Sequence, residues 1–173
     1  MIHYVVLTTG SCGNCYIFTD GTDTIVVDAG VTFSKMQRGL ESHGIAADTI
    51  RSVFLTHLHP DHSKGVGVVQ RKLGIPAYMS EIAKAENSVV IDKQRMERPL
   101  INTFSFGEEI SVGSFTLFPF RSFHDSAGSA GYLIRCRGRS FFLLTDTGRI
   151  PDEAFPMARD ADVEFIEANY DDD

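Results

Sequence analysis

Three of the six histidines fall within six residues, in the run Thr56-His57-Leu58-His59-Pro60-Asp61-His62. An even spread of six histidines over 173 residues would place far fewer than one in such a window. The run follows directly on Ile50-Arg51-Ser52-Val53-Phe54-Leu55, whose apolar and β-branched content reads as a strand. Residues at i and i+2 at a strand end point the same way, so His57 and His59 can converge on one ion. Asp61 and His62 follow on the turn into the next helix and can face a neighbouring position. Imidazole suits zinc, iron or manganese, and a carboxylate beside it widens the choice toward harder ions. Hydrogen bonding within a polar loop would explain one isolated histidine, but four ligand-type residues in six positions point to metal.

A centre of this kind needs partners from elsewhere in the chain. Arg121-Ser122-Phe123-His124-Asp125-Ser126 follows an apolar run at 114–120, and Leu143-Leu144-Thr145-Asp146-Thr147-Gly148 ends another. Both stand at strand ends, where loops carry function. Alone, His124 is ambiguous and Asp146 before Thr-Gly reads as a turn residue. With the upstream cluster, both become candidate ligands.

The rest of the chain supports one α/β domain over 1–173, since its length is close to the roughly 150 residues of a typical domain. A hydrophobic content of 43% is enough for a core. Strand-like runs recur at 2–7, 14–19, 24–28, 50–55, 114–120, 130–136, 140–145 and 162–166, with Asp20-Gly21 and Arg137-Gly138-Arg139 as hairpin turns. Phe33, Met36 and Leu40, after Thr32 as cap and before Gly44 as stop, predict a helix. Further helices are expected over Ser63–Leu73 and Ser80–Asn87, and from Pro151 onward. Asp171-Asp172-Asp173 reads as a solvated tail.

Net charge is -7, so whole-molecule attraction to nucleic acid or anionic lipid is not available and a polyanion would need local help. Arg121, Arg135, Arg137, Arg139 and Arg149 could supply it, or could simply be exposed hairpin and loop residues. No apolar run approaches the roughly 20 residues of a membrane span, and no leader segment is evident at the N-terminus. The odd count of Cys12, Cys15 and Cys136 argues against a disulfide framework and for a reducing compartment, so a cytoplasmic location is expected. The lone Cys12/Cys15 pair lacks the second pair of a zinc ribbon, leaving packing or turn roles.

On these motifs the sequence resembles the metallo-β-lactamase superfamily over nearly its whole length. Val27-Asp28-Ala29-Gly30 is similar to the first motif, His57 to His62 to the second, His124 to the third and Asp146 to the fourth. Gly10-Ser11-Cys12-Gly13-Asn14-Cys15, Phe123-His124-Asp125, Thr145-Asp146-Thr147-Gly148 and Glu167-Ala168-Asn169-Tyr170-Asp171 resemble the WalJ/YycJ-like branch, which implies a DNA exonuclease. The resemblance implies a four-layer αββα sandwich with two divalent ions, zinc or manganese, at one edge between its sheets. His57, His59 and His124 would hold one ion, Asp61 and His62 the second, and Asp146 would bridge them. Asp28 would steady the histidine loop from behind, although an Asp capping that strand end would look much the same. A water shared by two such ions suits phosphodiester hydrolysis, with Asp61 orienting it and His59 a ligand essential to turnover.

The superfamily also carries a fifth motif, a C-terminal Gly-His-Leu-type segment, which this sequence does not reach. His3 and His43 are not replacements for it, and both read as structural. The resemblance therefore implies a C-terminally incomplete sandwich with a weak or empty second site and an exposed strand edge, which a second copy or a C-terminal segment would cover. Two rival functions stand beside the nuclease: a hydrolase of a small ester, thioester or lactam on the same site, and a non-catalytic metal-binding fragment.

Overall fold

The computed structural model describes residues 2–167; the end of the Glu167–Asp171 motif and the acidic tail lie outside them. Eleven strands among these residues form two sheets. The first has the order β1 (His3–Thr8), β2 (Cys15–Thr19), β3 (Thr24–Val27), β4 (Ile50–Phe54), β5 (Ala77–Ser80) and β6 (Ile101–Phe104). Its β1–β2–β3 part is antiparallel and its β3–β4–β5–β6 part parallel. The second has the order β11 (Val163–Ile166), β10 (Arg139–Leu144), β9 (Ala130–Cys136), β8 (Phe115–Arg121) and β7 (Ile110–Val112), antiparallel except for the β10–β11 pair.

Side-chain alternation separates the layers. Ile17, Val26 and Val53 point from the first sheet toward Met36 and Leu40 of α1 (Phe33–Ser42) and Val66 and Val69 of α3 (Val66–Leu73). Their neighbours Phe18, Ile25, Val27 and Phe54 face the second sheet, packing with Tyr132, Phe141 and Leu143. Strands buried on both faces read as continuous apolar runs, as these do. On the outer side of the second sheet, Phe142 and Leu144 meet Ala154 and Ala158, the latter in α6 (Phe155–Asp160). The order helix, sheet, sheet, helix is the expected αββα sandwich.

Helix α1 begins where Thr32 accepts a hydrogen bond from the Lys35 amide, and His43 closes it. The helix expected from Ser63 starts earlier and is broken: α2 (Pro60–Ser63) is a single turn, and α3 begins only at Val66. Pro60 pre-sets the first turn, and Gly65 then lets the backbone lie against the Ala29 and Val31 carbonyls, where a side chain would overlap them. Asp61 and His62 therefore ride on a helical turn. The helix expected from Pro151 starts at Phe155, with Pro156 in its first turn and 152–154 in a turn. The helix expected over Ser80–Asn87 is α4 (Glu81–Glu86), capped by Ser80.

Several elements escaped the sequence pattern. β5, β6 and β7 span only three or four residues, too few for a periodicity to register. The β-branched run in α5 (Ser88–Lys93) disguises a helix that buries Ile91. Strands β1 and β11 are edges on the same side of the sandwich, their Tyr4 and Phe165 rings 5.1 Å apart, and Tyr4, Val6 and Ile166 are exposed there. No helix among the described residues is long and apolar enough to cross a membrane.

Candidate metal centre

Topology delivers the candidate residues to one edge. Strands β3 and β4 are parallel and end side by side, at Asp28 and at Leu55-Thr56-His57. In the other sheet β8 and β10 both run antiparallel to β9, so the loops with His124 and Asp146 leave the same edge. The Ala130 amide, at the start of β9, donates to the Thr56 carbonyl, and the buried Tyr132 hydroxyl donates to the Leu55 carbonyl. These bonds tie the two sheets together immediately behind the histidines.

Three imidazoles converge first. Nε2 of His57 lies 3.1 Å from Nδ1 of His59, which lies 3.2 Å from Nε2 of His124. A tetrahedron of imidazole nitrogens at zinc-like bond lengths has an edge of about 3.3 Å, so the spacing fits such an ion. One Nδ1 cannot share a single proton with two partners at once, whereas a cation among the three nitrogens would serve all of them. His57, His62 and Asp146 form a second group of close donor atoms, and His57 belongs to both.

In the second group, Asp28 fixes His62. The Asp28 carboxylate is fully buried, accepts from the Thr56 amide at 2.8 Å and the Thr56 hydroxyl at 2.7 Å, and lies 2.7 Å from Nδ1 of His62. It accepts a hydrogen bond from Nδ1, which leaves Nε2 as the nitrogen facing the site. The Asn14 amide nitrogen meets that Nε2 at 2.8 Å. Oδ2 of Asp146 stands 2.8 Å from the same Nε2, yet it is buried without a well-directed donor. Two acceptors so close need positive charge between them, either a proton or a metal ion.

The electrostatics follow from this. Burial opposes charge on His62, but its contacts with Asp146 and Asp28 outweigh burial and push its pKa up to about 10. Burial, with His62 and His124 nearby, drives His57 down to about 2, so its lone pair is free. Burial would raise the Asp146 carboxyl, but the histidines hold it below the usual range. The residues present therefore fit divalent metal: converging imidazole nitrogens, with His57 held neutral, an ionised Asp146 carboxylate whose buried oxygen lacks a donor, and a His62 whose proton, held by Asp146 and Asp28, a cation would replace.

Asp28 and Asp146 both adopt positive φ, at 59° and 47°. Asp tolerates this left-handed conformation better than most residues, and such strain clusters at functional sites. Gly30 is needed for another reason. Any Cβ there would overlap the Asp61 carbonyl, and the strand-end loop 28–30 is hydrogen-bonded to 61–62 through Ala29 N to His62 O.

The structure brings His57, His59, His62, His124, Asp28 and Asp146 together. Asp61 is adjacent, its carboxylate 3.6 Å from Nε2 of His62 and one-third exposed, and it is not a member of either close donor group. His3 lies in β1 and His43 caps α1, as expected. The sequence reading gave no role to Asn14, to Thr56 or to Asp125, whose carboxylate lies 3.3 Å from Nε2 of His124. All three sit inside the quoted motifs, so position in a motif was their only signal. Glu167 accepts from the Asp146 amide at 3.1 Å.

The arginine group divides. Arg137 pairs with Asp20 and Arg139 with Asp162 at the opposite sheet end, and Arg135 lies over Phe118 of β8, near that end. Only Arg121, over Phe106, and Arg149, 4.3 Å from the exposed Phe123 ring, stand at the site edge. The antiparallel register carries residues 135–139 away from the ligands.

Residues 23–173 match the family model described as "Beta-lactamase superfamily domain". The chain is 32% identical over 170 residues to exodeoxyribonuclease WalJ of Streptococcus pneumoniae, covering 97% of this chain and 62% of that protein. It is 29% identical over 171 residues to exodeoxyribonuclease YycJ of Bacillus anthracis, covering 98% and 64%. It thus spans less than two thirds of the length of either relative. Its fold is similar to the metallo-beta-lactamase fold protein YhfI from Bacillus subtilis, with a TM-score of 0.71 at 16% identity over 95% of this chain and 70% of that one. Zn(2+)-bound PqqB from Methylobacterium extorquens gives a TM-score of 0.71 at 14% identity over 89% and 59%.

Proposed function

The chain belongs to the beta-lactamase superfamily, and from that premise we propose that it is a metal-dependent hydrolase acting on the phosphodiester backbone of DNA. The observation that carries this reading is the pair of close donor groups, His57 with His59 and His124, and His57 with His62 and Asp146, which share His57. DNA as the substrate is favoured by the two exodeoxyribonucleases whose sequences parallel nearly all of this chain.

In this reading His57, His59 and His124 would hold one divalent ion, zinc or manganese. His62 and Asp61 would hold the second, and Asp146 would be a ligand available to both. Such ions would supply Lewis-acid activation of water and of a phosphoryl oxygen, and a concentrated positive charge in a chain that is otherwise acidic. Asp28 holds His62 in one tautomer and orientation. Asp61, one-third exposed beside His62, would accept a proton from the attacking water. Arg121 and Arg149 steer phosphates toward the opening. The three free thiols suit a reducing compartment such as the cytoplasm.

The test is metal-dependent cleavage of a DNA oligonucleotide by the chain and by His59→Ala and Asp61→Ala. Both substitutions should abolish turnover while circular dichroism stays unchanged. Undiminished cleavage by either variant overturns the reading, as does a wild-type chain that hydrolyses a generic thioester or lactam but no DNA.

A further inference from the structure

A cavity of about 400 Å³ opens beside the centre, between the loop carrying His59 and helix α5. His59 and Asp125 are among its lining residues, so whatever occupies it also adjoins the candidate metal ligands. Its wall is apolar at Leu58 and Val90 and cationic at Lys64 and Lys93. Among the described residues neither lysine has an ion-pair partner, although the chain is acidic overall. Lys64 makes only a long contact, 3.4 Å, to the Cys12 carbonyl. Gln94 donates through Nε2 to Ser63 Oγ at 2.8 Å, while its Oε1 is buried in the same wall with no donor.

An apolar surface and two free cations answer two parts of one chemical unit: a flat ring and a phosphate. The volume lies near the low end of small-molecule sites, roughly 300–1,000 Å³, which suits one nucleotide and excludes a base pair. Resting on the nuclease reading above, we propose that this cavity binds the unpaired nucleotide adjoining the scissile phosphate. Its phosphate lies between Lys64 and Lys93, away from Asp125, and its base lies against Leu58 and Val90. The substrate is then a single strand or a frayed end, because a paired base cannot enter.

The experiment is fluorescence anisotropy of a labelled twelve-residue oligothymidylate with the full chain in EDTA, so that binding is read without metal or turnover. Lys64→Ala/Lys93→Ala should weaken binding by about tenfold or more, whereas Lys35→Ala/Lys72→Ala, which removes the same charge elsewhere, should cost less than about twofold. Thymidine monophosphate should displace the probe at concentrations where inorganic phosphate does not, and a blunt duplex should compete poorly. Equal losses in the two double variants, no loss in the first, or no binding by the wild-type chain overturns the inference. Cleavage of DNA by the wild-type chain, measured separately, distinguishes the two proposals. Cavity-dependent binding without cleavage refutes the nuclease and keeps the pocket, and cleavage indifferent to Lys64 and Lys93 does the reverse.

Discussion

The residue that organises the centre is one that never faces the opening. Asp28 is fully buried, and its interactions with Thr56 and His62 decide which nitrogen His62 offers to the site. Asp28→Asn keeps the size and tolerates the same positive φ, so the backbone should hold. The amide replaces one acceptor oxygen by a donor, however, and can no longer satisfy all three partners. Metal affinity, read by competition with a chromogenic chelator, should fall by about 10–100-fold with an unchanged circular dichroism spectrum. Unaltered affinity would show that Asp28 only caps the strand end. His57, His59, Asp61 and His62 were legible from spacing alone, because strand and turn bring them together within a single segment. Asn14 and Thr56 were not, because a buried polar side chain declares its role only through the partner it meets, and the fold brings His62 to Asn14 and Asp28 to Thr56.

At the scale of elements, close backbone approach fixes the ligand-bearing loop. Gly30 lets the segment after β3 touch the backbone of α2, and a methyl group there meets the Asp61 carbonyl, which is main chain and cannot swing aside. Gly30→Ala should therefore lower the thermal midpoint and displace the His59–His62 turn, costing about 1–3 kcal/mol as overpacking does. Chemical denaturation and metal titration should show both losses together; a variant as stable and as avid for metal as the parent would refute the coupling. At the far end of the sandwich, Arg137 in the β9–β10 turn donates to the buried Asp20 side chain after β2, joining the two sheets. Burial would raise the Asp20 carboxyl, but the Asp23 and Thr22 amides and then Arg137 hold it far below the usual carboxylate range. Because the folded-state pKa is depressed, the stabilisation is full above the unfolded value of about 4 and fades as pH drops below it. Asp20→Asn should cost about 1–3 kcal/mol in urea unfolding at pH 7 and progressively less below pH of about 4. A cost independent of pH would contradict the charge assignment. The hairpins and α1 were readable because their turns and caps are local. The start of α6 was not, since two prolines compete for its first turn and packing against Phe142 and Leu144 selects the later one.

For the whole molecule, the sandwich matters because it gathers strand ends. No stretch of sequence holds His57, His124 and Asp146 together; parallel β3 and β4 in one sheet and parallel-running β8 and β10 in the other deliver them to one edge. Apolar alternation made the two-sheet core legible. The division of the arginines was not, because which end of a hairpin an arginine occupies depends on strand direction across both sheets. The short β5, β6 and β7 take their conformation from neighbours rather than from their own pattern. What the architecture delivers is a set of donor atoms with His57 common to both groups. The most direct measurement is therefore metal content per chain by elemental analysis after zinc or manganese loading and gel filtration, for the wild type and for His57→Ala. Retention of at least one ion by the wild type, with clearly less metal in the folded variant, is the predicted result; equal metal content in the two would contradict it.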